Sequence, residues 1–240
     1  MVDDLFKKHI LKISIVLNIF LLLFAGGVVY QKGGAIKQKV VSVLSNKAIS
    51  NPMYDKRVSL FSVLKPAPGG IVFLGDSITQ YAEWDELLSN SKAINRGIGS
   101  DTTNGVVSRL DQIVKISPSK VFLMVGINDL TQGVSIQEIE KNYNVILTNL
   151  EKFKGINIYI QSVLPINTSM AANVVSDDKI IELNKRIALL AENHNVKYID
   201  IYNIFASNGQ MPDEYTVDGV HLTGIAYTLW RDKIIQYVNE

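Results

Sequence analysis

From residue 71 onward the chain alternates short apolar runs with longer stretches in which apolar residues recur every three or four positions, and this alternation restricts the fold more than any other feature. The runs at 71–74, 93–94, 121–125, 156–160 and 196–199 predict strands, and the intervals 84–88, 102–116, 136–153, 177–192 and 223–238 predict helices. Within the fourth interval Ile180, Ile181, Leu183, Ile187, Leu190 and Ala191 form the apolar stripe of a helix lying on a sheet. Strand and helix in strict alternation predict an α/β protein, with a parallel sheet covered by helices on both faces. In such a sheet ligands bind beyond the carboxyl ends of the strands, so the loops that follow the strands are where chemistry is expected.

Ahead of this pattern stands a different kind of sequence. Residues 13–30, ISIVLNIFLLLFAGGVVY, carry no charge and as a helix would span about 27 Å, close to the thickness of a bilayer core. Lys7, Lys8 and Lys12 precede them, which favours an inward amino terminus, although Lys32, Lys37 and Lys39 on the far side weaken the asymmetry. The expectation is a membrane anchor over 1–30. A cleaved signal peptide using Ala25, Gly26 and Gly27 and a buried core helix are the alternatives, and the anchor and the signal peptide both place the remainder outside the cytoplasmic membrane. Residues 31–69, with Asn51-Pro52 and Pro66-Ala67-Pro68-Gly69-Gly70, are expected to be a tether, and 70–240 the folded domain.

Composition removes several classes of function. With 24 Lys+Arg against 23 Asp+Glu there is no basic field to neutralise a phosphate backbone, so no nucleic-acid partner is expected. The absence of cysteine excludes a disulfide scaffold, a thiolate metal site, a cysteine nucleophile and a lipoprotein anchor.

The polar residues gather where the sheet rule puts them. Gly75-Asp76-Ser77 follows the first strand, Gly97 to Thr102 the second and Gly126-Ile127-Asn128-Asp129 the third, while Asp218-Gly219-Val220-His221 precedes the last helix. A serine attacks a carbonyl only when a base removes its proton and fixed donors receive the charge that develops on oxygen. Ser77 is the candidate nucleophile and His221 the base. Asp218, three residues earlier, can hold the other imidazole nitrogen and fix its tautomer. Asn128 offers an amide donor. Their neighbours Asp76, Gly99 and Asp129 are candidate substrate contacts, with Asp129 expected chiefly to hold its own loop. Asp101 and Thr102 are expected to cap the following helix, and His194 to sit at a helix end. Trp84, Tyr215 and Tyr227 are either walls of the substrate site or core packing.

The four blocks FLGDSIT, NRGIGSDTT, GIND and DGVHL resemble, in the same order, those of the SGNH or GDSL hydrolases. The resemblance covers residues 71–240. It implies a flavodoxin-like three-layer α/β/α sandwich with Ser77 as nucleophile, His221 as base and Asp218 as its orienter. It also implies an oxyanion hole made by the N–H groups of Ser77 and Ser100 and the Asn128 amide. Ser100 stands where the family has glycine; a main-chain donor survives the change, but a positive φ there would strain a serine.

Other readings fit less well. Gly75-Asp76-Ser77-Ile78-Thr79 lacks the second glycine of a nucleophile elbow. Gly97-Ile98-Gly99 follows the second strand and lacks the third glycine of a dinucleotide site. A metal site from Asp76, Asp218 and His221 has no supporting histidine spacing. The expected function is therefore a cofactor-free serine esterase acting on a small-molecule ester, a glycan or a lipid. An acyltransferase to glycan hydroxyls and a non-catalytic envelope-binding protein are the alternatives, and the second has no use for all four polar residues.

Overall fold

The computed structural model describes residues 52–171 and 175–240. The expected membrane anchor lies outside the described residues; among the described ones no helix is long and apolar enough to cross a membrane.

Five strands form one parallel sheet: β1 (Ile71–Gly75), β2 (Ala93–Gly97), β3 (Lys120–Met124), β4 (Asn157–Gln161) and β5 (Lys197–Ile199), in the order β2-β1-β3-β4-β5. All five predicted strands are present. β1 and β3 are buried along their whole length, which is why they appear in the sequence as unbroken apolar runs without polar alternation. Side chains alternate between the two faces. Phe73, Phe122 and Tyr159 share one register row across β1, β3 and β4 and stack on each other, with centroid separations of 5.0 and 4.5 Å. Trp84 lies flat on Phe73 at 4.0 Å and meets the edge of Trp230, so the last helix closes that face.

The helices, in chain order, are α1 (Pro52–Val63), α2 (Ser77–Gln80), α3 (Trp84–Leu87), α4 (Thr103–Ser108), α5 (Leu110–Val114), α6 (Ile127–Thr131), α7 (Ile136–Leu150), α8 (Asp177–Asn193), α9 (Tyr202–Phe205) and α10 (Gly224–Asn239). α7 starts with a capping pair: Ser135 Oγ accepts from Glu138 N at 3.2 Å. Its buried stripe of Ile139, Tyr143, Ile146, Leu147 and Leu150 packs beside that of α8.

Two expectations change. The single helix predicted over 102–116 is two, α4 and α5, broken at Arg109 (φ −118°). Arg109 turns its guanidinium into the interior, donating from Nε to Asp101 at 2.9 Å and from Nη2 to the Gly75 carbonyl at 3.1 Å. The tether predicted over 31–69 is also too long, because residues 52–63 are α1, docked on the domain through Phe61 and several polar contacts.

The order 2-1-3-4-5 reverses direction between β1 and β3, which opens a crevice beyond their carboxyl ends. Ser77 follows β1 and Asn128 follows β3, so both stand at that crevice.

Candidate active site

α2 begins immediately after β1, and Asp76 caps it by accepting from Ile78 N at 3.0 Å. This places Ser77 in the first turn, where helical N–H groups have no intrahelical acceptor. Close packing around the turn requires glycine at two places. A Cβ on Gly75 would stand 2.2 Å from the Met124 carbonyl, and one on Gly97 2.2 Å from Gln80 N, so the ends of β1, β2 and β3 lie directly against the serine turn.

His221 reaches the serine from the loop before α10. Its Nε2 lies 2.9 Å from Ser77 Oγ, and its Nδ1 2.6 Å from Asp218 Oδ2. The loop is shaped by the same aspartate, whose Oδ1 accepts from the main-chain N–H of His221 at 2.8 Å and of Val220 at 3.0 Å. Desolvation alone would raise the Asp218 carboxyl, but the hydrogen bonds from His221 and Val220 outweigh it and hold the group below its ordinary value. Thr216 completes the loop: its Oγ1 donates to the His221 carbonyl at 2.9 Å and accepts from Gly219 N at 2.8 Å.

The oxyanion candidates are tied to the same turn. Ile98 N donates to the Gly75 carbonyl at 3.1 Å and Gly99 N to Gln80 Oε1 at 2.7 Å, binding the second block to α2. Asn128 Nδ2 donates one proton to the Asp101 carbonyl at 2.9 Å, which fixes the amide and leaves its second proton for another acceptor. Ser100 has φ 61°, the left-handed conformation at which glycine would be unstrained. Ser77, His221 and Asp218 are thus brought together in an arrangement able to activate a hydroxyl, and the loops that carry Ser100 and Asn128 border the same crevice.

Residues 73–229 match the model of the GDSL-like lipase/acylhydrolase family. The chain belongs to that family. It is a carboxylic ester hydrolase by membership. The platelet-activating factor acetylhydrolase IB subunit alpha2 of Gallus gallus is 30% identical over 166 residues, covering 65% of this chain and 70% of its own. A solved Streptococcus pneumonia structure, provisionally assigned as a platelet activating factor, is 27% identical with a TM-score of 0.70 and covers 84% of this chain and 99% of its own. A GDSL-like lipase of Bacteroides thetaiotaomicron, at 23% identity, shares the fold with a TM-score of 0.65 over 78% of this chain and 97% of its own.

Three of the acylhydrolase's acidic residues are held inside the domain, Asp129 in the loop-holding role expected of it. Asp76 and Asp129 are buried, with their carboxylates engaged by the chain itself. Asp76 caps α2, and Asp129 accepts from Thr103 N at 3.0 Å and Thr103 Oγ1 at 2.6 Å. Asp101 pairs with Arg109, leaving the cap of α4 to Thr102, whose Oγ1 accepts from Gly105 N at 3.2 Å. Burial raises all three carboxyls, that of Asp76 to about 7 and that of Asp101 to about 6, the latter despite the Arg109 cation. Gly99 lies in the crevice loop, with its N–H engaged by Gln80.

Among the aromatic candidates, Trp84 is core and donates from Nε1 to the Thr79 carbonyl at 2.9 Å, and Tyr215 packs edge-on against Phe205. Tyr227 donates to the Ile78 carbonyl at 2.7 Å, holding the residue after the nucleophile. His194 ends α8 as expected and lies against Glu151 and Asn144. Sequence reasoning missed Tyr81, an exposed ring 5.2 Å from that of His221, and Arg109 and Gln80 behind the loops. For Arg109 the only signal is a cation set among Val106, Val107 and Leu110 in an apolar stretch. Among the described residues no group of three acidic or histidine side chains converges to hold a metal ion.

Proposed function

We propose that the protein is a membrane-tethered, extracytoplasmic serine esterase that removes small acyl groups through an acyl-Ser77 intermediate. The observation that carries this is the unbroken hydrogen-bonded chain from Ser77 Oγ through the His221 ring to Asp218, at 2.9 and 2.6 Å. His221 Nε2 takes the hydroxyl proton as Oγ bonds to the ester carbonyl carbon, and Asp218 steadies the imidazolium that forms. The negative carbonyl oxygen is received by the N–H groups of Ser77 and Ser100 and by the free proton of the Asn128 amide. Collapse breaks the bond to the alcohol, which leaves with the proton from His221. Water then gives a proton to His221 as its oxygen bonds to the acyl carbon, and the bond to Ser77 Oγ breaks as His221 returns that proton to Oγ, releasing the acid.

The acetylhydrolase name of the chicken relative supports an acetyl-sized acyl group. The uncharged run of residues 13–30 supports the tether, and a tether outside the membrane supports an O-acylated envelope glycan or a lipid as the alcohol side. Full-length protein in detergent, assayed on p-nitrophenyl esters from acetate to palmitate beside Ser77→Ala, tests the assignment. Turnover confined to acetate and butyrate and lost in Ser77→Ala is expected. A palmitate optimum would move the substrate to long-chain lipids, and turnover that survives Ser77→Ala would remove the nucleophile. Acyl transfer to an added acceptor sugar in place of acid release would make the enzyme a transferase.

A further inference from the structure

We propose that Arg57, on α1, is a positioning residue for the Ser100 oxyanion donor, so that the segment ahead of the sheet is part of the catalytic apparatus. The inference rests on the reading of the Ser100 N–H as an oxyanion donor.

β2 is an edge strand, so every second peptide of it faces away from the sheet. Ile98 N bonds inward to the Gly75 carbonyl, and Gly97 therefore faces outward. Its N–H is taken by Asn95 Oδ1 at 2.8 Å, and its carbonyl receives Arg57 Nη2 at 3.1 Å. The helix that follows the loop, α4, is held from the same helix α1, with the Tyr54 hydroxyl donating to the Gly105 carbonyl at 3.0 Å. α1 thus grips both ends of residues 97–105, and Ser100 lies between the grips.

A grip is needed there because of what Ser100 does. A non-glycine residue in the left-handed region is strained by its Cβ, and such a conformation persists only where its surroundings over-determine it. Gln80, Ile98 and Asn128 hold the loop from inside the crevice; Arg57 holds it from outside.

The choice of arginine also exceeds what docking a helix requires. The guanidiniums of Arg57 and Arg96 both lie over the Phe61 ring, at 4.8 and 4.5 Å from its centroid. Burial and then the Arg109 cation lower the Arg57 pKa, so a charge is kept in an unfavourable place. An apolar side chain of similar length would dock α1 without that cost, but it would leave the Gly97 carbonyl without its donor.

The test compares full-length wild type, Arg57→Met, Arg57→Lys and Ser77→Ala on the ester that wild type hydrolyses best. Turnover is expressed per folded molecule from near-ultraviolet circular dichroism, and thermal midpoints are recorded alongside. Arg57→Met keeps the stem and removes the donor, and it should lower kcat about ten-fold with KM within about two-fold, because a loosened oxyanion donor acts on the transition state. Arg57→Lys restores one donor and should recover most of that loss. A merely structural role would lower the thermal midpoint and leave kcat per folded molecule intact, and that result, or a change confined to KM, overturns the inference alone. Turnover that survives Ser77→Ala overturns the esterase reading and this inference with it.

Discussion

Asp218 engages His221 twice, through Oδ2 to ring Nδ1 at 2.6 Å and through Oδ1 to the main-chain N–H at 2.8 Å. One carboxylate therefore sets both the conformation of the loop and the tautomer of the ring it carries. Asparagine would still accept from the main chain with its oxygen, but its NH2 cannot accept a proton from Nδ1–H. Asp218→Asn is accordingly expected to keep the thermal midpoint while kcat falls by about 10²–10⁴. Steady-state kinetics beside a melting curve check it, and a kcat near that of wild type would remove Asp218 from the proton relay.

Ser100 supplies a second prediction, because its φ of 61° suits glycine. Ser100→Gly removes the Cβ penalty and should stabilise the protein by about 1 kcal/mol, a rise in Tm of roughly 2–4 °C for a domain of this size. Ser100→Ala keeps a Cβ and should bring no such rise. Equal midpoints for the two variants would mean that the left-handed conformation carries no strain.

The sheet was legible in the sequence because buried parallel strands must be apolar on both faces, which leaves runs such as 71–74 and 121–125 without polar interruption. Ser77 and Asn128 were legible because a polar residue just beyond such a run stands at the ligand-binding edge, and His221 because an aspartate three residues earlier can orient its ring. Burial was not legible, and so Asp76 was offered as a substrate contact with no sign that its carboxylate caps α2 from inside the domain, whereas the loop-holding role expected of Asp129 is the one it has. Nor was α1, whose single buried apolar residue is Phe61 and whose hold on the domain is largely polar, through Tyr54, Arg57 and the Val58 carbonyl. Such a helix leaves no periodic apolar stripe. The break at Arg109 escaped for a related reason, since its partner Asp101 lies in a loop whose path only the folded chain defines.

Asp76 makes stability depend on pH. Its carboxyl is raised from 3.8 to about 7 in the folded protein, chiefly by burial, and that of Asp101 to about 6. Between about pH 4 and 7 the folded state therefore keeps protons that the unfolded chain has released, and stability falls as pH rises through that window. Asparagine at 76 can still cap α2 through its oxygen and does not ionise. Asp76→Asn should flatten the decline and be the more stable protein at pH 8, by an amount of the order of a few kcal/mol. Urea midpoints at pH 5 and pH 8 for both proteins decide the matter, and an unchanged slope would show that Asp76 does not titrate in this range.

The opposite end of the sheet gives a prediction on stability alone. Lys120, the first residue of β3, is nearly buried, and its Nζ donates to the carbonyls of Tyr237 at 2.8 Å and Val238 at 2.9 Å in the last turn of α10. A cation there satisfies carbonyls that have no intrahelical partner and opposes the negative end of the helix dipole. It also fastens α10, which carries Trp230 over the aromatic row of the sheet, to the strand beside β1. Lys120→Met keeps the stem but removes both charged donors, and should cost about 2 kcal/mol, with Tm lower by roughly 4–8 °C. Because Lys120 begins its strand while the crevice lies beyond the strand's carboxyl end, kcat per folded molecule should remain that of wild type. A loss of kcat without a loss of Tm would mean that α10 transmits the position of Lys120 to the His221 loop at its other end.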